Sequence, residues 1–328
     1  MKFNWMDDWA EVPGAESAGN GWAHHGVVVN AADEVIVFHP RDPRMMVFDP
    51  SGSFKRSWDT DLTDAHGMTL VQDDGTEYIW AADNGRKRTP ETGYDYEADS
   101  RGGQFVKMDL AGNVAMRLCA PDLPVYRDGG FFSPTGITVF EERHGGNGDV
   151  WASDGYGQSQ VHRFSKGGDY LGSITGQEGR AGAFNCPHAV WVDVRKPEPE
   201  LYIADRGNAR LQVYDLEGTF KRSFGTDFLT SPSAFARYGD LLIIAELRAR
   251  LTILDINDNL VGCLGANEAV CDQPGWPNML DENGNPSRTN RLAPGRFNSP
   301  HGVGADSSGN IYVSEWLIGG RYTRLAKA

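Results

Sequence analysis

The chain has 328 residues, including 40 glycines and 17 prolines, and a net charge of −14 at pH 7. This negative charge argues against nucleic acid as a partner, because phosphate binding requires a clustered positive surface. The sequence has no run of about twenty apolar residues, so we expect no membrane partner either. The acidic N-terminal stretch MKFNWMDDWAEV lacks the apolar segment of a signal peptide, and we therefore expect a cytoplasmic protein.

Taken in chain order, the sequence repeats one pattern of short β-strands separated by turns. Each repeat begins with a segment that we call the head, and the six heads are HHGVVV, AHGMTL, PTGITVF, PHAVWV, PSAFA and PHGVGA. An apolar strand follows each head. In five repeats this strand ends in an acidic residue, as in YIWAAD and LYIAD, whereas the first repeat has VIVFHP. Two strands joined by a turn complete the repeat, as in VFDPSGSFKRSW and VYDLEGTFKRSF.

Six heads with four strands each predict an all-β fold, a six-bladed β-propeller with four-stranded blades. The alternatives are an open solenoid or a stacked sandwich. The last repeat, from Ser299, has only three strands before the chain ends. The N-terminal segment, residues 2–13, is expected to supply the fourth strand and so to close the ring. Because each blade packs on its neighbours, residues 1–328 are expected to form a single propeller domain.

Two insertions interrupt the repeat, at residues 84–103 and residues 266–298. Long loops in a compact domain are usually functional or disordered. The second insertion contains Trp276 and leads directly to His301. It is therefore a candidate lid over a site, and a solvated surface insertion is the alternative.

The four cysteines lie in different repeats and lack the spacing of a metal site; they are Cys119, Cys186, Cys263 and Cys271. Free, buried thiols in a reducing compartment are the simplest interpretation. A bridge between Cys263 and Cys271 is the alternative.

One head position, directly after the proline or its substitute, is histidine in four of the six repeats. In chain order this position is occupied by His25, His66, Thr135, His188, Ser233 and His301. A lone histidine here would be a turn residue bonded to the backbone. Three histidines in the second, fourth and sixth blades instead have threefold spacing around the propeller axis.

Three neutral imidazoles that converge on one point form a common transition-metal site, and open coordination positions make such a site catalytic in type. We therefore expect a metal at His66, His188 and His301. His25 is an additional candidate, as a supporting or structural residue. The remaining histidines lie outside this register and are assigned no metal role: His24, His39, His144 and His162.

Several segments match one known family in the same order along the chain. They are AHGMTL, PTGITV followed by WASDGYGQSQVHRFSKGG, FNCPHAVWV followed by LYIADRGNARLQVY, and FNSPHGVGADSSGNIYVSE. On these segments the chain resembles the NHL-repeat propellers, and within them the peptidyl-α-hydroxyglycine amidating lyases (peptidylamidoglycolate lyases). The SDGY run, residues 153–156, is the most specific element of the resemblance.

The resemblance implies a zinc enzyme that cleaves an N-acyl α-hydroxyglycine, a small carboxylate-bearing carbinolamine, to an amide and glyoxylate. By its pattern the metal ligands would be His66, His188 and His301, with zinc or another divalent transition metal as cofactor. Tyr156 would be the catalytic base and Arg206 one of two catalytic arginines. The second would be Arg41, with Arg44 as the alternative because Pro40 disturbs the alignment. The arginines would bind the substrate carboxylate.

The chain also departs from the family. An acidic residue that helps to hold a structural calcium in the family is Gly302 here, so the resemblance gives no support for calcium. A disulfide-forming cysteine is replaced by Gly157. We expect neither the family's secreted setting nor its fused hydroxylating domain. These departures suggest a bacterial-type cytoplasmic relative whose substrate need not be a peptide.

Two other functions stay open on the sequence alone. One is a metal-dependent lactonase or hydrolase on the same propeller, although such enzymes usually bind metal through Glu, Asn and Asp. The other is a non-enzymatic NHL interaction module, which would explain the repeats but neither the alternating histidines nor the SDGY motif.

Overall fold

The computed structural model of the protein describes residues 1–97 and 101–328. The N-terminal strand is β1 (Phe3–Met6), and a short helix, α1 (Ala15–Gly19), follows it. The first blade comprises β2 (Val27–Val29), β3 (Val35–Phe38), β4 (Arg44–Phe48) and β5 (Phe54–Asp59). The second comprises β6 (Ala65–Asp73), β7 (Thr76–Asp83), β8 (Gln104–Asp109) and β9 (Val114–Leu118).

A second short helix, α2 (Pro124–Arg127), precedes the third blade, which comprises β10 (Gly136–Val139), β11 (Val150–Asp154), β12 (Gln160–Phe164) and β13 (Tyr170–Ile174). The fourth blade comprises β14 (Pro187–Asp193), β15 (Glu200–Asp205), β16 (Arg210–Tyr214) and β17 (Phe220–Phe224). The fifth comprises β18 (Pro232–Tyr238), β19 (Leu241–Glu246), β20 (Arg250–Leu254) and β21 (Leu260–Leu264).

The second insertion contains a small hairpin, β22 (Met279–Leu280) and β23 (Pro286–Ser287). The last three strands are β24 (Pro300–Ala305), β25 (Ile311–Glu315) and β26 (Tyr322–Lys327). Short 3₁₀ turns lie at Pro90–Thr92, Glu142–His144, Arg206–Asn208 and Glu268–Asp272.

Six four-stranded sheets make up the fold. In five of them the strands pair in chain order, and in the last blade the order is β1-β26-β25-β24. In the last blade β1 pairs antiparallel with β26, from Phe3 opposite Lys327 to Met6 opposite Arg324. The N-terminal strand therefore completes the last blade, as the sequence predicts. The predicted fold class, an all-β six-bladed propeller with four-stranded blades, is confirmed.

By the density of its internal contacts the chain divides into two compact units. The central unit comprises Ala65–Gly85 and Arg101–Ala234, and it holds the second, third and fourth blades. The terminal unit comprises Met1–Asp64, Arg86–Ser100 and Phe235–Ala328, and it holds the first and sixth blades and most of the fifth. Each unit is described separately below.

Neighbouring blades share hydrophobic cores within each unit. In the central unit one cluster joins Trp80 and Phe105 of the second blade to Ile137 and Phe164 of the third. A second cluster joins Trp151 of the third blade to Leu201 and other residues of the fourth. The strand after each head is the most buried one; all six residues of β15 are buried. A single blade thus depends on its neighbours to bury its apolar faces.

All four cysteines are free, so the alternative of a bridge between Cys263 and Cys271 is wrong. The expectation that the thiols are buried is only partly met, because Cys119 and Cys263 are exposed. Both lie on or just beyond outer strands, which the solvent reaches. Among the described residues, no helix is long and apolar enough to cross a membrane.

Replacing Trp151 by alanine is expected to lower the free energy of unfolding by about 3–5 kcal/mol, because the side chain is 1% exposed and its loss leaves a cavity. Leu171→Ala in the same blade is the control. Leu171 is 51% exposed, so we expect a change within about 0.5 kcal/mol. Urea denaturation followed by circular dichroism measures both values. Equal losses in the two variants would contradict a core shared between the third and fourth blades.

Candidate functional site

The acidic residue at the end of the buried strand holds the loop that leads into the head of the same blade. In the fourth blade the carboxylate of Asp205 accepts the backbone N–H of Asn185 at 2.7 Å. In the sixth blade Oε1 of Glu315 accepts the N–H of Asn298 at 2.5 Å and of Ser299 at 2.8 Å. These bonds fix the backbone directly before the histidines of the two heads. The acidic residues of the repeat are therefore structural anchors for the head positions.

The first blade uses histidine in place of this acid. Nδ1 of His39 accepts the backbone N–H of Arg41 at 3.1 Å and of Asp42 at 2.8 Å. Its Nε2 lies 3.2 Å from the carbonyl oxygen of Pro13. Burial lowers the pKa of His39, which keeps the ring neutral and able to accept. His39 thus holds the turn that follows its own strand, whereas Asp205 and Glu315 hold the loop before the head.

Each histidine of an even-numbered blade binds the backbone of the head in the next blade. Nδ1 of His66 lies 2.7 Å from the carbonyl oxygen of Thr135, and Nδ1 of His188 lies 2.7 Å from that of Ser233. A carbonyl oxygen can only accept, so Nδ1 carries the proton in both rings. Nε2 of each neutral ring is left with its lone pair, the form that binds a metal.

The two Nε2 atoms of the central unit meet at one hydroxyl group. The Tyr156 oxygen lies 3.2 Å from Nε2 of His66 and 3.1 Å from Nε2 of His188. The centroids of the two imidazole rings are 4.6 Å apart. Both histidines are about 1% exposed. The structure therefore brings together three of the residues predicted from the sequence.

Arg206 completes this group. Its Nη1 donates to the Tyr156 oxygen at 3.3 Å, and its guanidinium carbon lies 5.3 Å from the centre of the phenol ring. Asp205, the preceding residue, pairs instead with Arg210 at 2.7 Å. Nη2 of Arg206 contacts Sγ of Cys186 at 3.3 Å. Cys186 was not predicted as a neighbour of the site; its position two residues before His188 was the available signal.

The SDGY turn that presents Tyr156 is built around Asp154. The carboxylate of Asp154 accepts the backbone N–H of Ser133 at 2.6 Å and of Gln158 at 2.7 Å. A Cβ atom on Gly157 would lie 2.1 Å from this carboxylate. A cysteine therefore cannot replace Gly157 without displacing the turn. Glycine at this position thus has a steric cause.

A chain of side-chain donors ends at the same carboxylate. The hydroxyl of Tyr126 donates to Asp154 at 2.7 Å and lies 2.8 Å from Nε2 of His162. Nδ1 of His162 lies 2.6 Å from the Ser173 hydroxyl. A neutral ring with the proton on Nε2 satisfies all of these contacts, since Ser173 can then donate to Nδ1. Burial raises the pKa of Asp154 to about 6 and lowers that of His162 to about 4.

In the terminal unit His301 repeats the arrangement of the other two histidines. Its Nδ1 lies 3.3 Å from the carbonyl oxygen of His25, the head residue of the next blade. His25 itself differs, because Nδ1 lies 3.0 Å from the Gly26 carbonyl and Nε2 lies 2.9 Å from the Tyr322 hydroxyl. Both of its nitrogens have protein partners, which favours the structural role over the metal role for His25.

His24 lies beside His301, although the sequence pattern gave it no role. The two ring centroids are 4.6 Å apart, and His24 is 6% exposed. Nδ1 of His24 lies 3.4 Å from the carboxylate of Asp64, and Nζ of Lys87 lies 4.0 Å from the same carboxylate. The only sequence signal for His24 was its position next to His25 in the HH pair.

The two first-blade arginines have different surroundings. Arg41 lies between β3 and β4; its Nη1 is 3.4 Å from the Asn20 carbonyl and 3.7 Å from the carboxylate of Glu91, in the first insertion. Arg44 forms an ion pair at 3.1 Å with Asp59, its partner across β4 and β5. Each arginine is thus paired with a carboxylate, and these contacts do not decide between Arg41 and Arg44.

Gly302, the residue after His301 in the head of the sixth blade, is also required by space. A Cβ atom there would lie 2.7 Å from the carbonyl oxygen of His25 and 2.7 Å from the Ser314 hydroxyl. Any larger residue would push apart the backbones of the first and sixth blades at the head positions.

The neutral state of His162 predicts a loss of stability in acid. Its pKa is about 6.5 when unfolded and about 4 when folded. Above about pH 6.5 His162 is neutral in both states. Below it the unfolded chain binds the proton more readily, so the free energy of unfolding decreases as the pH falls toward about 4. At pH 5 the loss through this residue is about 2 kcal/mol. His162→Gln cannot titrate, so we expect its stability to fall less than that of the wild type between pH 7 and pH 5.

Urea unfolding at the two pH values measures this difference. His144→Gln is the control, because His144 is exposed and is expected to leave the pH dependence unchanged. If His162→Gln and the wild type lost the same stability in acid, His162 would not be held neutral by the fold.

Comparison with known proteins agrees with the repeat architecture. No protein-family model matches the chain. Two curated relatives are NHL repeat-containing protein 3 of Mus musculus, 28% identical over 219 residues, and of Homo sapiens, 26% identical over 221 residues. Each match covers 65% of this chain and 58% of the relative, so the chain spans less than two thirds of either relative.

Solved structures share the fold over the whole chain. A streptogramin B lyase is 15% identical with a TM-score of 0.59, covering 99% of this chain and 98% of the other. Virginiamycin B lyase from Staphylococcus aureus, in a structure with quinupristin, is 12% identical with a TM-score of 0.59 and full coverage of both chains. At these identities the likeness concerns the fold alone. Together with the relatives above, these comparisons support an NHL-repeat propeller.

Proposed function

We propose that the protein is a metal-dependent lyase that cleaves the C–N bond of an N-acyl α-hydroxyglycine-like carbinolamine to an amide and glyoxylate. One observation supports this most strongly. Nε2 of His66 and Nε2 of His188 both face the Tyr156 hydroxyl, and the guanidinium of Arg206 contacts the same oxygen. Two neutral imidazoles, a phenol and a fixed cation around one point are the parts that the reaction requires.

The donor set fits a divalent transition metal. In His66 and His188, Nδ1 is bonded to a backbone carbonyl, so Nε2 points toward the Tyr156 hydroxyl. His301 has the same contact in the terminal unit, and it occupies the same head position in the sequence repeat. We assign these three as ligands of zinc or a similar ion, with His24 as a further candidate because it lies beside His301. Such an ion supplies Lewis acidity toward a hydroxyl or carboxylate oxygen.

Tyr156 is assigned the role of general base. In its ionised form the phenol takes the proton of the substrate hydroxyl group. The O–H electron pair then forms the carbonyl bond of glyoxylate, and the C–N bond breaks with its electrons on nitrogen. The nitrogen takes up the proton that Tyr156 received and leaves as the amide, so the phenolate is restored and atoms and charge balance. The neighbouring guanidinium of Arg206 favours the phenolate form.

Arg206 is assigned a second role, in binding the substrate carboxylate. A guanidinium presents a planar set of N–H donors that matches a carboxylate. Its position against the Tyr156 ring would bring the carboxylate-bearing carbon close to the base. Arg41, with Arg44 as the alternative, is the candidate for the second arginine. The substrate in this proposal is a small molecule with a carboxylate group.

The strand-end acids argue against the alternative of a lactonase or hydrolase with a carboxylate-rich metal site. Asp205 is fully buried and already bonded to Asn185 and Arg210. Glu315 is likewise buried and bonded to two backbone N–H groups and to Arg321. Using these carboxylates as ligands would leave their present donors unpaired.

The purified protein is expected to contain about one divalent transition-metal ion per chain. His188→Ala is expected to lose it, because one of the three ligand nitrogens is removed. His144→Ala, in which an exposed histidine outside the head register is removed, should keep it. Inductively coupled plasma mass spectrometry measures the metal content. No bound ion after incubation of the wild type with zinc would refute both the metal site and the lyase.

With N-benzoyl-α-hydroxyglycine as substrate we expect release of glyoxylate, measured with a coupled dehydrogenase. Tyr156→Phe is expected to lower kcat by about 10²–10⁴-fold, since the general base is removed while the ring stays in place. Tyr238→Phe is the control, because this phenol lies at the end of β18 and packs against Phe3 of β1. If the metal-loaded protein released no glyoxylate but opened a lactone, the hydrolase would be the better assignment.

A further inference from the structure

Four aromatic side chains of the terminal unit form a connected group, which we call the tryptophan cluster: Trp22, Tyr94, Trp276 and Trp316. The ring of Trp22 contacts Tyr94 edge to face, with centroids 5.2 Å apart, and lies 5.5 Å from Trp316. Trp276 contacts Trp316 at 6.0 Å, also edge to face. Tyr94 is 37% exposed, so the cluster extends from the interior to the protein surface.

Two of these rings come from the insertions rather than from the repeated strands. Tyr94 belongs to the first insertion and Trp276 to the second. The two insertions contact each other, because the Tyr94 hydroxyl donates to the carbonyl of Gly275 and a Cβ on Gly93 would lie 3.7 Å from Pro286. Each insertion thus contributes one aromatic ring to the cluster. The other two rings, Trp22 and Trp316, lie outside the insertions.

The cluster has polar donors that the protein itself does not use. The indole N–H groups of Trp22 and Trp316 are buried and have no acceptor among the described residues. By contrast, the N–H of Trp276 donates to the carbonyl of Asn298 at 3.0 Å. A buried N–H without an acceptor costs free energy comparable to a lost hydrogen bond. In the part of the chain that the structure describes, Trp58 and Trp151 also have an unpaired indole N–H. Trp22 and Trp316, however, have theirs on two rings that contact each other, and it is this pairing that points to a ligand oxygen.

The charges around the cluster select the kind of ligand. The guanidinium carbon of Arg88 lies 5.6 Å from the centre of the Trp316 ring and 3.8 Å from that of Tyr96. Positive groups on aromatic faces disfavour a cationic ligand at the same place. A flat, neutral group with an acceptor oxygen fits better.

The cluster is continuous with the histidines of the terminal unit. The ring of Trp316 lies 5.8 Å from that of His24, which contacts His301. The tryptophan cluster therefore adjoins His24 and, through it, the histidine that this unit contributes to the proposed metal site. In an N-acyl α-hydroxyglycine the acyl carbon is two covalent bonds, about 2.5 Å, from the carbinol carbon.

We propose that the tryptophan cluster binds a flat aromatic acyl group of the substrate, and that the indole N–H groups of Trp22 and Trp316 donate to the acyl oxygen. This inference rests on the proposed lyase function and narrows its substrate to N-aroyl α-hydroxyglycines. Stacking on aromatic rings supplies affinity, and the hydrogen bond to the acyl oxygen orients the C–N bond.

Isothermal titration calorimetry with N-benzoylglycine and N-acetylglycine tests the proposal, because neither compound has the hydroxyl group needed for cleavage. The wild type is expected to bind N-benzoylglycine about tenfold more tightly than N-acetylglycine. Trp316→Phe keeps a ring but removes the donor, so its affinity for N-benzoylglycine should fall about three- to tenfold. Trp316→Leu should lose the preference for the benzoyl compound.

Trp58→Leu is the matched control, because Trp58 lies on outer strand β5 and stacks on Arg56; it should leave both affinities unchanged. Equal affinity of the wild type for the two compounds would overturn the aromatic subsite, and so would an unchanged preference in folded Trp316→Leu.

Glyoxylate assays test the lyase activity separately from the aromatic subsite. Equal turnover of N-acetyl and N-benzoyl α-hydroxyglycine would keep the lyase and refute the subsite. Selective binding without glyoxylate would keep the subsite and refute the lyase.

Discussion

The histidine positions depend on one interaction, the hydrogen bonds that a buried strand-end carboxylate accepts from backbone N–H groups of the loop before the head. Asp205 and Glu315 bind these loops directly. A buried carboxylate with two or more good donors is costly to disturb, because every partner would be left unpaired. These bonds fix the position of the head backbone. The backbone in turn orients the imidazoles of His188 and His301.

A second constraint acts between blades. The even-numbered blades place histidine where the odd-numbered blades offer a backbone carbonyl, so each imidazole has its Nδ1 proton assigned by its neighbour. The histidine of an even-numbered blade thus donates from Nδ1, and the head residue of the next blade accepts with its backbone carbonyl. The side chain of the accepting residue is not part of this contact, which explains how threonine, serine and histidine can all serve.

The fold could be predicted from the sequence because the pattern of strands and turns that specifies a blade is local and occurs six times. The head register also singled out His66, His188 and His301 without any structure. Tyr156 and Arg206 could be named only through the resemblance, since a turn residue after a strand has no periodic signal. His24, Cys186 and the tryptophan cluster were missed for a different reason. Tyr94 and Trp276 are far apart in the chain, and nothing in either insertion indicates that the other one contacts it.

The turn around Gly157 has a consequence for the conditions in which Tyr156 keeps its position. A Cβ at residue 157 would overlap the Asp154 carboxylate, so this turn cannot be closed by a cysteine bridge. It is held by noncovalent bonds from Ser133 and Gln158. Such a turn forms equally well in oxidising and in reducing surroundings, and it needs no thiol chemistry during folding. The position that this turn gives Tyr156 therefore does not depend on disulfide formation.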